Sequence, residues 1–323
     1  MPVHAALLTA VAVAVATTAT SSAIPEVRAG DVAASRPVRW TPDELSTPLY
    51  ESSPVFSPDG TELHFLRADT RFGGYRLLWS RCASGRWSDP APPPFAAPAG
   101  TLEADPAFSH DGRLLYYVSA RGNADSDDLD IWRVARDDDG RWGAPRRMPA
   151  PVNSPAAELL PRPLPGGRLL FGSSRPGGHG QGDIYIATPQ DGGGWRLENA
   201  GPPISTSAYE YEAEISHDGK VMAVVADRGE RSHLYLYDRD GDAWIERGRV
   251  PARDDVFQVG PLLSPTGDRL LFAQAEAGER SGEWFLVDLR PDPDPRWPPV
   301  CGEADRREPR KAEAIKASAA PLG

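Results

Sequence analysis

Four glutamates recur at one place in a repeated pattern: Glu51, Glu103, Glu158 and Glu210, with Gln258 in the fifth copy. Twelve residues after a conserved turn position in each copy stand Asp69, Arg121, Arg228 and Glu276, with Arg175 in the third copy, whose turn is one residue shorter. Antiparallel pairing sets the start of one strand beside the end of the next. Three copies therefore offer structural ion pairs: Glu103 with Arg121, Glu158 with Arg175, and Glu210 with Arg228. The other two match acid with acid or amide, Glu51 with Asp69 and Gln258 with Glu276. Clustered carboxylates raise one another's pKa or draw in a cation. Glu51, Asp69 and Glu276 are thus expected to bind a cation or a basic side chain of a partner.

Other constellations carry weaker chemistry. Asn123, Asp125, Asp127, Asp128 and Asp130 alternate oxygen ligands, which suits Ca²⁺, but the glycine and closing glutamate of an EF-hand loop are missing. The expectation is a solvated loop, with Asp125, Asp127 and Asp130 as the calcium candidates and no other cofactor. No two histidines show HxxxH or HxH spacing. His110 and His217 occupy equivalent turns in different copies and are expected to be held apart and exposed. Gly177 to Gly182 resembles a phosphate loop without its lysine and hydroxyl residue, and no GxSxG elbow exists. On these grounds the chain reads as no enzyme.

The elements that must position these residues follow from the same repeat. Three residues after each acid comes Pro54, Pro106, Pro161, Ala213 or Pro261, and nine after it always a glycine: Gly60, Gly112, Gly167, Gly219 or Gly267. Asp-Gly between apolar runs marks a hairpin, because glycine accepts positive φ. Apolar second strands follow, then short third strands such as Leu78-Trp79 and Ile131-Trp132, then fourth strands opened by Trp87, Trp142, Trp195 or Trp244. Starts lie roughly 50 residues apart, a little long for one propeller blade. One small sheet cannot bury both faces, so the copies stack radially. The fold expected is an all-β propeller of five four-stranded blades, with six as the alternative. Proline fits because the innermost strand of a blade is an edge.

The fifth copy lacks a clear fourth strand. Val38-Arg39-Trp40 resembles the other fourth-strand openings and is expected to close the ring, with Arg296-Trp297-Pro298 as a rival. Ser57-Pro58-Asp59-Gly60, Ser109-His110-Asp111-Gly112 and Ser216-His217-Asp218-Gly219 resemble the turn of the TolB-like, WD-repeat-like propellers of bacterial envelope proteins. Ser174-Arg175-Pro176-Gly177-Gly178 with Asp183-Ile184-Tyr185 resembles that family too. The resemblance covers about residues 38–290 and implies the fold more than a function.

Of 323 residues, 1–23 read as a signal peptide, 24–37 as a linker, 38–290 as the propeller and 291–323 as a mostly disordered tail. The apolar run 5–16 is too short to span a membrane, and Ser21 and Ala23 fit a signal-peptidase site. The expected location is periplasmic or secreted. A net charge of −11 argues against nucleic acid and anionic lipid. Cys82 and Cys301 could bridge in an oxidising compartment, and the sequence leaves their pairing open. The expected function is a monomeric, non-catalytic propeller. It would hold an envelope or extracellular protein or peptide at one rim, near an acidic mouth formed by Glu51, Asp69, Glu103, Glu158, Glu210 and Glu276. The alternatives are a metal-assisted carbohydrate-binding protein, a polysaccharide-degrading enzyme, or a structural envelope component.

Overall fold

The computed structural model describes residues 32–122, 128–229, 231–276 and 281–302. A short strand, β1 (Val38–Arg39), precedes the first repeat. The first blade is β2 (Tyr50–Phe56), β3 (Glu62–Ala68), β4 (Arg76–Ala83) and β5 (Arg86–Trp87). The second is β6 (Glu103–Phe108), β7 (Leu114–Ser119), β8 (Asp130–Ala135) and β9 (Arg146–Arg147). The third is β10 (Glu158–Pro163), β11 (Leu169–Ser173), β12 (Asp183–Pro189) and β13 (Trp195–Asn199). The fourth is β14 (Tyr209–Ile215), β15 (Val221–Asp227), β16 (Ser232–Asp240) and β17 (Ala243–Arg249). The fifth brings β18 (Gln258–Leu263), β19 (Arg269–Ala275) and β20 (Gly282–Asp288).

Its fourth strand is β1, which pairs antiparallel with β20 at Val38↔Leu286 and Arg39↔Phe285. Trp40 N donates to Trp284 O at 2.7 Å, and Trp284 N donates to the Thr41 hydroxyl at 2.7 Å. The ring thus closes with five blades and an N-terminal strand. Arg296-Trp297-Pro298 does not fill that slot. Trp297 instead lies at the turn end of the channel, where Arg269 donates to its carbonyl at 2.6 Å.

Stacking explains the composition of the strands. Second strands are covered on both faces by neighbouring blades, so β15 reads VMAVVA without alternation and is buried throughout those six residues. The repeated turn has an equally local cause. Ser57 donates its hydroxyl to Asp59 at 2.5 Å, Ser109 to Asp111 at 2.6 Å and Ser216 to Asp218 at 2.7 Å. Gly60 follows at φ 72°, a conformation that favours glycine.

Innermost strands are all bulged. Register breaks between Ser52 and Val55, Ala104 and Ala107, Leu159 and Arg162, and Val259 and Leu262. Each break contains one of the repeat prolines, which therefore costs no ladder hydrogen bond. Blade four has Ala213 in place of proline, and there the ladder resumes at Glu212↔Val225. The residue before each proline has positive φ: Ser53 at 47°, Asp105 at 55°, Leu160 at 42° and Gly260 at 63°. Three of these are not glycine, so the waist of the channel carries backbone strain, which persists only where surrounding structure enforces it.

A candidate active site in the channel

The acidic circle is built, but it does not face solvent. Glu51, Glu158 and Glu210 are fully buried, and Glu103 and Gln258 nearly so. Each carboxylate fastens the loop before its strand to the blade. Glu51 accepts from the Thr47 hydroxyl at 2.6 Å and Arg67 Nε at 2.7 Å. Glu103 accepts from Ala97 N at 2.9 Å, and its Oε1 lies 3.1 Å from Arg121. Glu158 accepts from Ser154 at 2.5 Å and meets Arg175 at 2.9 Å. Glu210 accepts from the Thr206 hydroxyl at 2.6 Å and Thr206 N at 3.0 Å.

Two expectations need correction here. Glu210 and Arg228 do not pair, because Arg228 turns to Glu246 at 2.9 Å and to the Tyr237 hydroxyl at 2.8 Å. Nor do Glu51, Asp69 and Glu276 gather around a cation. Glu51 already has Arg67 directly across the ladder. Asp69 is exposed and caps its own turn, accepting from Arg71 N at 2.8 Å and Gly73 N at 2.9 Å. Glu276 lies 3.5 Å from Arg39 on the closing strand. Asp125 and Asp127 lie outside the described residues, and Asp130 is held by both nitrogens of a bidentate Arg147, at 2.6 and 2.7 Å.

The groups that converge are two and four residues further along the inner strands. The bulges interrupt the alternation after each acid, and hydrogen bonds between different blades show that these two positions meet in the channel. At the first of these levels stand Ser53, Asp105, Leu160, Glu212 and Gly260; at the second, Arg162 and Glu214 among apolar neighbours. Asp105 accepts from the Ser53 hydroxyl at 2.9 Å and from Leu160 N at 3.1 Å, linking three blades. Glu212 accepts from Gly260 N at 2.7 Å. Arg162 donates to Pro106 O and Pro261 O, each at 3.0 Å, and pairs with Glu214.

Electrostatics single out these acids. Burial pushes Glu212 up to about 8, and the Asp105 charge adds to the effect. Burial likewise raises Asp105, opposed by the hydrogen bonds from Ser53 and Leu160. Burial pushes Glu214 up to about 7 against the pull of Arg162. The channel therefore gathers three buried acids, each raised by burial, around one guanidinium, that of Arg162.

Below them a cavity of about 370 Å³ opens at the turn end of the channel. Glu214 and Arg162 form part of its lining, with Phe56, Phe108, Ser57, Ser109, His110, His217 and the C-terminal Trp297 and Pro299. His110 and His217 are exposed as expected, but they are not apart: their ring centroids lie 5.1 Å from each other. Equivalent turns of blades two and four thus come together at this mouth. The C-terminal segment reaches it through a disulfide between Cys82 and Cys301.

Asp105, Arg162, Glu212 and Glu214 escaped the sequence reading because it followed residues that repeat. The signal lay in the opposite property. Each is a polar residue unique to its copy at a position that faces the channel, and Glu212 and Glu214 flank the one missing proline.

No family model matches the sequence, and no curated protein does. Solved structures do match. An α-L-arabinofuranosidase from Lactobacillus brevis is 12% identical, with 77% of this chain and 92% of that chain covered and a TM-score of 0.49. A family 117 glycoside hydrolase from Zobellia galactanivorans is 14% identical, with coverage of 81% and 91% and a TM-score of 0.49. TolB from Acinetobacter baumannii is 17% identical over 76% of this chain, with a TM-score of 0.48. The likeness is one of fold. The chain spans 56% of that TolB's length, and the resemblance to TolB reaches the propeller architecture, not membership of its family.

The expectation of a non-catalytic propeller, and with it of no enzyme, is corrected. The matched propellers include glycoside hydrolases, a gluconolactonase and an oligogalacturonate lyase. The physical reason lies in the circle itself: glutamates consumed inside the blades have nothing to offer a partner at a rim. No helix among the described residues is long and apolar enough to cross a membrane.

Proposed function

We propose that the protein is an exported carbohydrate-active enzyme that cleaves a glycosidic bond at the turn end of its channel. One observation carries this reading: Glu214, with a pKa raised to about 7, stands at the 370 Å³ cavity with further buried carboxyls behind it. Glycoside cleavage needs a carboxylic acid that is still protonated at neutral pH to protonate the leaving oxygen, and a second carboxylate. Glu214 supplies the first at the cavity, and Asp105 and Glu212, deeper in the same channel, are the acids nearest to hand for the second role. Arg162 orients Glu214 and pulls its pKa down against the effect of burial.

The cavity suits a small sugar. Its volume is within the usual range for ligand sites. Phe56, Phe108 and Trp297 offer flat apolar faces, and Ser57 and Ser109 offer hydroxyls. Export is supported by the Ser21–Ala23 cleavage pattern and by a disulfide, which persists in oxidising compartments.

The test is turnover of a panel of aryl glycosides and oligosaccharides by the full chain. Cleavage should fall by about 10²–10⁴-fold in Glu214→Gln, the span of a lost general acid. Turnover of sugar lactones alone, or full activity in that variant, would overturn the assignment.

A further inference from the structure

We infer that the protein acts on chain ends, removing one sugar at a time from the non-reducing terminus, and does not cut within a polysaccharide. The inference rests on the proposed cleavage at Glu214 and adds the kind of substrate that can reach that acid. The cavity has a complete rim, because residues from the turns of all five blades line it: Pro58, His110, Leu164, His217 and Pro265. Glu214 lies three residues before His217, so the wall stands roughly 10 Å above the acid at the rise of an extended chain. The C-terminal segment adds to that wall over blades one and five. Asp294 N donates to Asp268 at 2.7 Å, Arg269 donates to the Trp297 carbonyl at 2.6 Å, and Pro299 packs against Gly60. An internal unit of a polymer needs a cleft open at two sides, and a closed rim leaves none.

The other end of the cavity is shut. Its lining among the described residues stops at Arg162 and Glu214 and includes none of Ser53, Asp105, Leu160, Glu212 and Gly260. Those five, one from each blade, bond across the channel: Ser53 and Leu160 donate to Asp105, and Gly260 N donates to Glu212. Arg162 adds its bonds to Pro106 O and Pro261 O. A sugar chain cannot thread a waist tied in this way, so substrate enters and product leaves by the mouth. Asp105 and Glu212 lie on the side of Glu214 away from that mouth. The two carboxyls of a glycosidase flank the bond they cleave, so the leaving group points outward and the ring with the anomeric carbon goes in first. Glu214 gives its proton to the departing oxygen, water supplies the new hydroxyl at the anomeric carbon, and the water's remaining proton restores the acid. A volume of about 370 Å³, near the lower end for ligand sites, suits a terminal sugar better than a long run of subsites.

The probes are pentasaccharides from the panel of oligosaccharides, each carrying a fluorophore at its reducing end, digested by the full chain and sampled early by chromatography. The first products should be free monosaccharide and labelled tetrasaccharide in equal amounts, followed by labelled trisaccharide. The same probe with its non-reducing terminal sugar capped by a bulky ketal should lose its turnover altogether. On the parent polymer, reducing sugar should appear while viscosity stays constant. Labelled disaccharide or trisaccharide among the first products, or cleavage of the capped probe, would overturn this inference and leave the cleavage assigned to Glu214 standing. Failure to cleave any probe, together with inactivity on the aryl glycosides, would overturn both.

Discussion

Arg162, carried by the third blade, pairs across the channel with Glu214 of the fourth while donating to carbonyls of the second and fifth. One side chain thus ties four of five blades at the point where all of them are bulged. A planar fork with several donors can serve a carboxylate and two carbonyls together, whereas an ammonium cannot reproduce that geometry.

Removing Arg162 should therefore be costly, and the cost should depend on pH. Glu214 has a folded pKa raised above its unfolded value, so its contribution to stability is complete below about 4.5 and is lost as pH rises through about 7. Without its counter-charge the ionised form becomes harder still to bury. Arg162→Ala should lose about 3–5 kcal/mol at pH 8 and clearly less at pH 5, where Glu214 is protonated in both proteins. Urea unfolding at the two pH values measures the difference. An equal loss at both would mean that the carbonyl bonds, and not the ion pair, account for the role of Arg162.

The same acid should shape catalysis. With Glu214 as proton donor, kcat/KM should fall as pH rises through about 7, the range in which it ionises. In Arg162→Lys the alkaline limb should move to higher pH, because a less well-fitted cation stabilises the carboxylate less. A pH–rate profile on a cleaved substrate checks both. A limb that stays in place when Arg162 is changed would point to a different acid.

The architecture was legible because it rests on periodic signals. Ser57-Pro58-Asp59-Gly60 and its counterparts mark where every inner strand turns, and Trp40 marks the closing strand by its likeness to Trp87 and Trp142. The site was not legible in that way. Repetition signals what each blade needs for itself, and Glu51, Glu103, Glu158 and Glu210 proved to be internal fasteners. Asp105, Glu212 and Glu214 occur once each, and only a channel that brings strands of different blades together gives them meaning. The Arg67 partner of Glu51 was hidden for a simpler reason: it sits two residues before the position that Arg121 and Arg175 occupy in their own copies.

Cys82 and Cys301 close a separation of 219 residues and hold the segment bearing Trp297 and Pro299 against the cavity. Cross-links over long loops restrict the unfolded chain most. Reduction, or the paired change Cys82→Ser with Cys301→Ser, should destabilise the protein by about 2–5 kcal/mol. It should also make Trp297 more accessible to a fluorescence quencher. Intact stability and unchanged quenching after reduction would show that β1 alone secures the ring.

A last prediction concerns the seam between blades one and two. His64 is fully buried among Trp79, Phe95, Phe108 and Trp142, with ring centroids 5.2 to 6.3 Å away. Burial lowers its pKa, although Glu62 at 3.6 Å pulls the other way. Arg136 engages Glu62 as well, so that carboxylate is already shared. A histidine whose folded pKa lies below its unfolded value of about 6.5 binds fewer protons when folded. Stability is then full above that value and declines as pH falls below it, the opposite direction from Glu214. His64→Phe keeps a flat ring in an aromatic pocket and removes the titration. Both proteins share the opposing Glu214 titration, so the difference carries the test: the urea midpoint of His64→Phe should rise relative to that of wild type as pH falls from about 6.5 to 5. Parallel curves would place the acid sensitivity elsewhere, with the shared Glu62 carboxylate the next group to change.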